Sequence, residues 1–403
     1  MNRLPLSDFL ERRYQEAIDW VTSQISLVSV RNIAFYSSFD IRYSGFKVSQ
    51  VDANLFPAGF NNLPSASIDY ASEIVGNFCR FGGYSKVLII SEDHTRNVNY
   101  LKNVLAVTRV FKGANVDVRV CSLSLEAFSH TFDDGDVISL QKLIRKPDFF
   151  ALDDGFVPDL ILLNNDLTSL ASSDFFDGIS QAVLPISSLG WNNRKKSGHF
   201  AYHSDVIRRF SDYFSMDPWL FDSYFEISDD VNFKEGENIS SIKDGVSSVL
   251  TKVRAKYAEY RIDHEPAVFV KSNSGTYGMG IEIVYDPSEL DMINKAFRKK
   301  MHVIKSGKIN TSVLLQEAVP TILQEAGVYY EPVYYSILGE IIGSFCRFNE
   351  NGGRITNLNA SGMSFKPNSG DIMGSLAQKA CYLSAYLSIL SVSQEIENAR
   401  AFM

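Results

Sequence analysis

The stretch FVKSNSGTYGMGI, residues 269–281, carries the strongest indication of the fold class in this sequence. An apolar strand ends at Lys271 and opens into a loop with three glycines. Because glycine has no side chain, backbone amides in such a loop can approach phosphate oxygens closely, and the lysine adds a positive charge. The lysine precedes the glycines, so this is not a Walker A loop, and no GxGxxG leads into a helix. The pattern predicts a loop that binds a triphosphate, with a plain flexible hairpin as the alternative.

A second stretch, LLQEAVP at residues 314–320, follows at a distance that allows one intervening helix. An acid directly after a buried strand, followed by an apolar residue, suits an adenine pocket. In that interpretation backbone groups of Glu317 to Val319 read the base edge, and the Glu317 carboxylate accepts a ribose hydroxyl. The alternative is a strand end with a glutamate on the surface.

A third stretch, VDANLFPAGFNNL at residues 51–63, predicts a metal site. Asp52 and Asn54 are two residues apart on a strand and therefore share a face. Carboxylate and amide oxygens are hard ligands suited to Mg²⁺. Asp40, on the preceding strand, completes the set only if the hairpin has an odd-length loop or a bulge, since an ordinary two-residue turn would put it on the opposite face. Two surface acids on a hairpin are the alternative.

Length and composition restrict the function further. The 403 residues exceed the size at which one hydrophobic core stops growing, so two or three subdomains are expected. A net charge of −8 disfavours a nucleic-acid or anionic-membrane surface and favours small polar substrates.

The four scattered cysteines form no CxxC pair and are expected to be reduced thiols. The first helix carries charges where a signal peptide would be apolar, and residues 380–392 are too few to span a bilayer, which takes ~20. We therefore expect a cytoplasmic protein without nucleic-acid or membrane partners.

The order of the elements indicates a mixed α/β protein. Two strands near 33–43 and 46–54 form a hairpin around Ser44 and Gly45. Short apolar strands at 86–91, 116–123 and 160–164 alternate with helical runs, which argues for a parallel sheet covered by helices, a Rossmann-like layer. Long helices are predicted at 239–260 and 373–399.

Together, the stretches 52–63 and 271–280 with NLNASGM at 357–363 are similar to the bacterial glutamate-cysteine ligases built on the ATP-grasp fold. The resemblance covers most of the chain. Typical ATP-grasp proteins end their catalytic domain with an acidic strand, a hairpin and Glu-x-Asn, whereas this chain ends in a helix after Met363. The hairpin with Asp40, Asp52 and Asn54 resembles the missing piece, with Asp in place of Glu. The resemblance therefore implies an α/β (α+β) protein with a circularly permuted ATP-grasp core and a Rossmann-like pre-ATP-grasp domain.

Four segments follow from this comparison. They are an N-terminal helix and hairpin that complete the core (1–65), the Rossmann-like domain (66–190), a central subdomain with the glycine-rich loop (191–310) and the C-terminal core (311–403).

The resemblance also implies roles for individual residues. Lys271, Arg347 and Asn359 resemble the groups that act on the transferring phosphate, and Glu331 matches an acid that faces the nucleotide or metal. Ligands of ATP are expected at Lys271, Ser274, Gly275, Thr276, Tyr277, Gly278, Gly280, Glu317 and Val319, and ligands of Mg²⁺ at Asp40, Asp52, Asn54 and Glu331.

The binding of a substrate carboxylate is assigned to Arg194, Lys195 and Arg354. A solvated basic turn before a helix explains Arg194 and Lys195 equally well. The resemblance also implies an additional ATP-binding lysine upstream of the loop, for which Lys234 and Lys252 are both candidates.

The function implied is an ATP- and Mg²⁺-dependent ligase that joins the γ-carboxylate of L-glutamate to L-cysteine, the first step of glutathione biosynthesis. Two alternatives remain from the residues alone: a ligase of the same fold with a different acid and amine, and a non-catalytic ATP-binding regulatory protein. The acidic balance and the missing basic aromatic platform oppose a nucleic-acid-binding protein. The sequence leaves the oligomeric state open, a homo-oligomer included.

Overall fold

The computed structural model describes residues 4–167, 173–190, 193–274, 280–292, 301, 309–368 and 374–401. Within these residues six α-helices are present. They are α1 Leu6–Ser26, α2 Ser65–Gly82, α3 Val98–Gly113, α4 Lys196–Phe214, α5 Ile239–Tyr260 and α6 Ser375–Ala401. The predicted helix at 239–260 is confirmed at both ends, and the C-terminal helix is shifted by two residues.

Eighteen strands lie in the same described residues. The first ten are β1 Tyr36–Tyr43, β2 Val48–Asn54, β3 Lys86–Ser91, β4 Asp117–Ser122, β5 Phe128–Thr131, β6 Val137–Gln141, β7 Leu143–Arg145, β8 Phe150–Leu152, β9 Leu160–Asn164 and β10 Ala182–Leu184. The other eight are β11 Phe225–Ser228, β12 Val268–Ser272, β13 Ile281–Val284, β14 Val313–Glu317, β15 Gln324–Glu325, β16 Val328–Ile337, β17 Glu340–Asn349 and β18 Met363–Pro367.

The first sheet joins the two ends of the chain. Its order is β18-β17-β16-β1-β2, with β15 paired to β16. Strand β1 runs antiparallel to β16, and Asp40 lies opposite Val333. The N-terminal hairpin is therefore part of the sheet formed by the C-terminal strands.

The hairpin of β1 and β2 contains the bulge on which the metal-site prediction depends. Asp40 lies opposite Asp52, while the next residue, Ile41, lies opposite Gln50. Val51 is thus an extra residue in β2. Because side chains alternate along a strand, this insertion turns Asp52 to the same face as Asp40. The predicted shared face is confirmed, and its cause is the bulge, since the connecting loop spans four residues from Ser44 to Lys47.

The second sheet has the order β10-β9-β3-β4-β6-β5. The first five of these strands pair in parallel, and β5 is antiparallel to β6. Strand β9 is buried along its whole length, which is typical of a parallel strand covered on both faces. The parallel sheet predicted for this segment is confirmed.

The third sheet has the order β11-β14-β12-β13. Strand β14 lies beyond the predicted boundary at residue 310 but pairs with β11 and β12, so it belongs structurally with the preceding segment. The glycine-rich stretch follows β12 and leads to β13.

The largest apolar cluster packs helices against the first and third sheets. In α1, Phe9, Ala17 and Val21 are buried on one side, so this helix is amphipathic. Helix α6 packs against α1, α4 and the hairpin strands, and many of its side chains between Ala377 and Ile396 are buried. The helices thus form a rigid backing for the hairpin.

All four cysteines are buried free thiols. Among the described residues, no helix combines the length and the apolar character needed to cross a membrane.

Candidate active site

A cavity of about 470 Å³ lies where the three sheets meet. The first sheet contributes Asp40, Asp52, Glu331 and Arg347, and the third contributes Lys271. Residues that follow β3 and β9, among them Asn97, Asn99 and Asp166, line the side formed by the second sheet. The carboxyl ends of parallel strands are a common place for ligand sites. The cavity therefore combines charged residues on one side with amide-rich loops on the other.

Seven ionisable side chains in this cavity form a group that we call the charged cluster. They are Asp40, Arg42, Asp52, Lys196, Lys271, Glu331 and Arg347.

Two arginines and two carboxylates of the charged cluster form a row across β1, β16 and β17. Arg347 donates from Nη1 to Asp40 Oδ2 at 2.6 Å and to Glu331 Oε1 at 2.8 Å. Arg42 donates from Nε to Glu331 Oε2 at 2.7 Å. All four side chains are buried, so these charge-assisted bonds fix one another in place.

The pKa values of the two hairpin aspartates are shifted in opposite directions. Burial raises the pKa of the Asp40 carboxyl, and the attraction of Arg347 offsets this only in part, since Glu331 and Asp52 add repulsion. Burial also opposes ionisation of Asp52, but Lys196 and Lys271 outweigh it and lower the pKa of that carboxyl. Burial likewise works against Glu331, whose pKa is lowered overall by Arg42 and Arg347. Asp52 and Glu331 are therefore anions at neutral pH.

Lys271 ends β12 at the cavity wall. Its Nζ donates to the carbonyl oxygen of Val51, the extra residue of the bulge, at 3.0 Å. Burial lowers the pKa of Lys271 to about 7, and the nearby Lys196 contributes in the same direction. The bulge thus has two effects: it turns Asp52 into the cavity and provides the carbonyl that orients Lys271.

Lys196 is the first residue of α4, and its Nζ pairs with Asp52 Oδ1. It is the third of the consecutive cations Arg194, Lys195 and Lys196. Only Lys196 of these three lines the cavity.

A tight turn at residues 57–60 closes one side of the cavity. The amides of Gly59 and Phe60 both donate to Asn103 Oδ1, and Asn164 donates from Nδ2 to the carbonyl of Pro57. Tyr335 donates its hydroxyl to the carbonyl of Ala58. Gly59 has a φ of +103°, and a Cβ there would lie 2.7 Å from the Tyr335 hydroxyl. The turn therefore requires glycine at this position.

Many of the predicted site residues come together. The described residues that line the cavity include Asp40, Asp52, Asn54, Lys271, Glu331, Arg347 and Asn359. They come from both ends of the chain and from its middle. The family resemblance predicted that these segments meet, whereas the spacing of the residues in the sequence did not.

The predicted substrate cations lie elsewhere. Arg194 forms a two-pronged pair with the buried Glu395 of α6, at 2.7 and 2.9 Å, and donates to the carbonyl of Ala53. Lys195 is exposed, and Arg354 does not line the cavity. Arg194 therefore has a structural partner in place of a substrate carboxylate and holds β2 against α6.

The surroundings of Glu317 differ from those expected of a ribose contact. Glu317 accepts hydrogen bonds from Lys47 at 2.9 Å, from the Trp219 indole at 3.1 Å and from the amide of Tyr224 at 3.1 Å. It is 1% exposed, so its carboxylate is not available to a ribose hydroxyl. The carbonyl of Val319 accepts from Arg42 at 3.2 Å. Glu317 thus stabilises the end of β14, because it neutralises the buried Lys47.

The predicted triphosphate loop is described only at its two ends. Ser274 forms an isolated bridge with Lys195, and Gly280 is buried beside β13. The predictions for Gly275, Thr276, Tyr277 and Gly278 lie outside the described residues.

The oxygen atoms presented by the hairpin fit a hard divalent cation. Asp40 and Asp52 lie opposite each other, and Asn54 follows Asp52 on the same face. Mg²⁺ usually takes one or two protein carboxylates and completes its shell with phosphate and water oxygens. Asp52 is the best suited of the three carboxylates, because both oxygens of Glu331 accept from arginines and both oxygens of Asp40 accept from Arg347. In the described part of the chain, no group of three His, Cys, Asp or Glu side chains is placed to hold a metal alone.

Sequence reasoning missed Arg42 and did not single out Lys196 among the cations of its basic stretch. Arg42 is two residues from Asp40, and this Asp-x-Arg spacing puts both side chains on one face of β1, so the pattern was available. Lys196 had no comparable signal, because the sequence does not reveal which of three adjacent cations points into a cavity.

The cavity and its charged cluster define an enzyme site of the kind that handles small anionic substrates, as ligases do. The family model of glutamate-cysteine ligase matches residues 8–388. A crystal structure from Methylobacillus flagellatus KT, assigned as a gamma-glutamylcysteine synthetase, is 31% identical, with a TM-score of 0.87 over 98% of this chain and 96% of that one. The chain belongs to the glutamate-cysteine ligase family.

Two further solved structures are more distant. A glutathione synthetase-like effector from Globodera pallida is 11% identical, with a TM-score of 0.41 over 89% of this chain and 81% of that one. The D-alanyl-alanine synthetase A of Vibrio cholerae is 9% identical, with a TM-score of 0.38 over 76% and 80%. Because both TM-scores lie below 0.5, neither likeness establishes the fold or the function. No curated protein matches the chain.

Proposed function

We propose that the chain joins the γ-carboxylate of L-glutamate to the amine of L-cysteine at the expense of ATP, through an acyl phosphate. Membership of the glutamate-cysteine ligase family supports the substrates. The observation that carries the mechanism is the charged cluster, in which Lys271 and Arg347 face the carboxylates of the hairpin across one cavity.

The reaction has two steps. A γ-carboxylate oxygen of glutamate attacks the terminal phosphorus of ATP, the bond to the bridging oxygen breaks, and ADP leaves. The cysteine amine then attacks the acyl carbon, phosphate leaves with the former carboxylate oxygen, and the amine loses its proton. A free carboxylate is a poor acceptor for an amine, and phosphate supplies the leaving group.

The residues of the cluster position and neutralise the reacting groups. Lys271 and Arg347 offset negative charge that develops on the transferring phosphoryl group, with Asn359 as a neutral contact. Because Asp40 and Glu331 already hold Arg347, its guanidinium does not need to reorganise during the reaction. Asp40, Asp52 and Asn54 would hold Mg²⁺, which would supply positive charge against the phosphates when bound.

Exclusion of water from the site would protect the acyl phosphate from hydrolysis. A circularly permuted ATP-grasp core with a Rossmann-like domain is part of this proposal. Pairing of β1 with β16 supports it, since the first strands of the chain complete the C-terminal sheet. The product, γ-glutamylcysteine, would enter glutathione biosynthesis in the cytoplasm.

An isotope experiment tests both the substrates and the intermediate. The purified protein is incubated with Mg²⁺, ATP, cysteine and glutamate labelled with ¹⁸O in the γ-carboxylate. We expect γ-glutamylcysteine by mass, with one ¹⁸O atom transferred to each phosphate released. Product without label in the phosphate would refute the acyl phosphate, and ATP binding without product from this pair would refute the assigned substrates.

A further inference from the structure

The ion pair between Lys196 and Asp52 occupies the place where the metal ligands are proposed. Asp52 Oδ1 accepts from Lys196 Nζ, and these two side chains are 26% and 17% exposed. Asp52 is also the hairpin carboxylate not engaged by Arg347, which binds Asp40 on the neighbouring strand. The cation thus lies on a carboxylate oxygen that faces the cavity.

The backbone of Lys196 is fixed, while its side chain is long. The amide of Lys196 donates to the carbonyl of Asn273 at 2.8 Å, and the amide of Ser197 donates to Asn273 Oδ1 at 2.9 Å. Asn273 donates in turn from Nδ2 to Ser312 Oγ at 2.9 Å. These bonds anchor the start of α4 beside the end of β12. Four methylene groups separate this anchor from the ammonium, so the charge can move without any change in the fold.

Charge balance around Asp52 changes when a divalent cation arrives. Lys196 and Lys271 both act on Asp52 in the ligand-free protein. A divalent cation on the same carboxylate repels an ammonium that shares the oxygen. Phosphate oxygens of ATP, brought in with the metal, offer the displaced ammonium a new anionic partner in the same cavity.

We propose that Lys196 neutralises Asp52 in the ligand-free enzyme, is displaced from it by the divalent cation, and then binds the phosphate oxygens of ATP. The second half rests on the proposed function. Lys196 is therefore a competitor of the metal before the substrates bind and a catalytic residue afterwards.

These two roles predict effects of opposite direction in one variant. Lys196→Met keeps the length of the side chain and removes its charge. Without nucleotide, it is expected to bind Mn²⁺ roughly tenfold more tightly than the wild type, because the competing contact is lost. With ATP and both amino acids, its turnover is expected to fall by about 100-fold or more, the loss typical for one preorganised partner of the transferring group.

Mn²⁺ affinity is measured by electron paramagnetic resonance on the full chain without ATP or amino acids, and turnover by ADP release. Lys112→Met, an exposed lysine at the end of α3, is the matched control and should change neither value. Asp52→Asn in the Lys196→Met background should abolish the gain in affinity, which places the metal on Asp52. Lys196→Gln, with a shorter neutral side chain, repeats the test should the methionine variant not fold.

Unchanged or weaker Mn²⁺ binding in folded Lys196 variants would overturn the proposal, and so would tighter Mn²⁺ binding with unchanged turnover. The metal titration contains no substrate, so it is independent of the reaction assigned to the enzyme. A wild-type protein that makes no γ-glutamylcysteine would refute the proposed function while the competition for Asp52 could still be measured.

Discussion

Raising the pH from 7 to 9 is expected to weaken binding of Mg²⁺-ATP, because Lys271 loses its proton in the ligand-free protein. Burial lowers the pKa of this lysine to about 7, with Lys196 and Arg42 acting in the same direction and Asp52 and Asp40 opposing them. Phosphate oxygens beside Lys271 favour its charged form, so nucleotide binding is coupled to uptake of a proton.

The magnitude follows from the pKa. With a free-state pKa of about 7, Lys271 is about half protonated at pH 7 and about 1% protonated at pH 9. If the bound lysine stays charged, the affinity should fall about 50-fold over this range, or roughly 2 kcal/mol. At pH 8 about 0.9 proton should be taken up for each nucleotide bound.

Isothermal titration calorimetry measures both quantities. Affinity is determined at pH 7, 8 and 9, and proton uptake from the dependence of the binding heat on the ionisation enthalpy of the buffer. Phosphate groups with a second pKa of about 6 contribute little above pH 7. Lys271→Met is the control and should bind weakly, with neither the pH dependence nor the proton uptake. An affinity that stays constant from pH 7 to 9 in the wild type, without proton uptake, would refute the reasoning.

Three further predictions concern other parts of the site. Glu395→Gln should lower the free energy of unfolding by about 3 kcal/mol at pH 7, since the pKa of Glu395 is about 2 in the fold. In urea unfolding, the difference in free energy between variant and wild type should shrink as the pH falls below 4.5. An equal difference at pH 7 and pH 3.5 would contradict this. Gly59→Ala should lower the free energy of unfolding by roughly 1–3 kcal/mol, because of backbone strain and the clash with Tyr335, and should lower kcat/KM. Gly155 is the control, with a φ of +86° and open space around it. Gly155→Ala should therefore destabilise the protein only through backbone strain and leave kcat/KM unchanged. Asp52→Asn should reduce turnover at least about 100-fold while the circular dichroism spectrum is retained, and near-normal turnover would reject Asp52 as a metal ligand.

The hairpin shows what the sequence could predict about this site. Alternation along β2 put Asp52 and Asn54 on one face, and the need for a bulge or an odd loop followed from the requirement that Asp40 join them. The sequence did not reveal where the extra residue lies. Strand β2 packs against α6, and Arg194 donates to the carbonyl of Ala53, so the bulged strand is held by residues from distant parts of the chain. Contacts this far apart in the chain leave no local pattern.

The misplaced residues have a common cause. Arg194 and Glu317 carry the charges expected of substrate ligands, but each is bound to an opposite charge from a distant segment, Glu395 and Lys47. A single sequence does not distinguish a charge that has an internal partner from one that awaits a ligand. Residue type and position relative to a strand end therefore predicted the region of the site better than its individual members.

The charged cluster divides into parts with different consequences for stability and catalysis. Arg42, Glu331, Arg347 and Asp40 neutralise one another in a buried row, and such rows contribute more to geometry than to stability because desolvation offsets their attraction. Lys271, in contrast, donates to a neutral carbonyl, and burial lowers its pKa, so its positive charge is poorly compensated in the ligand-free protein. In the proposed function, the row would fix the geometry before substrates bind, and the nucleotide would supply the missing negative charge. Since this charge is added only to the folded state, Mg²⁺-ATP should also stabilise the sheet that joins the two ends of the chain.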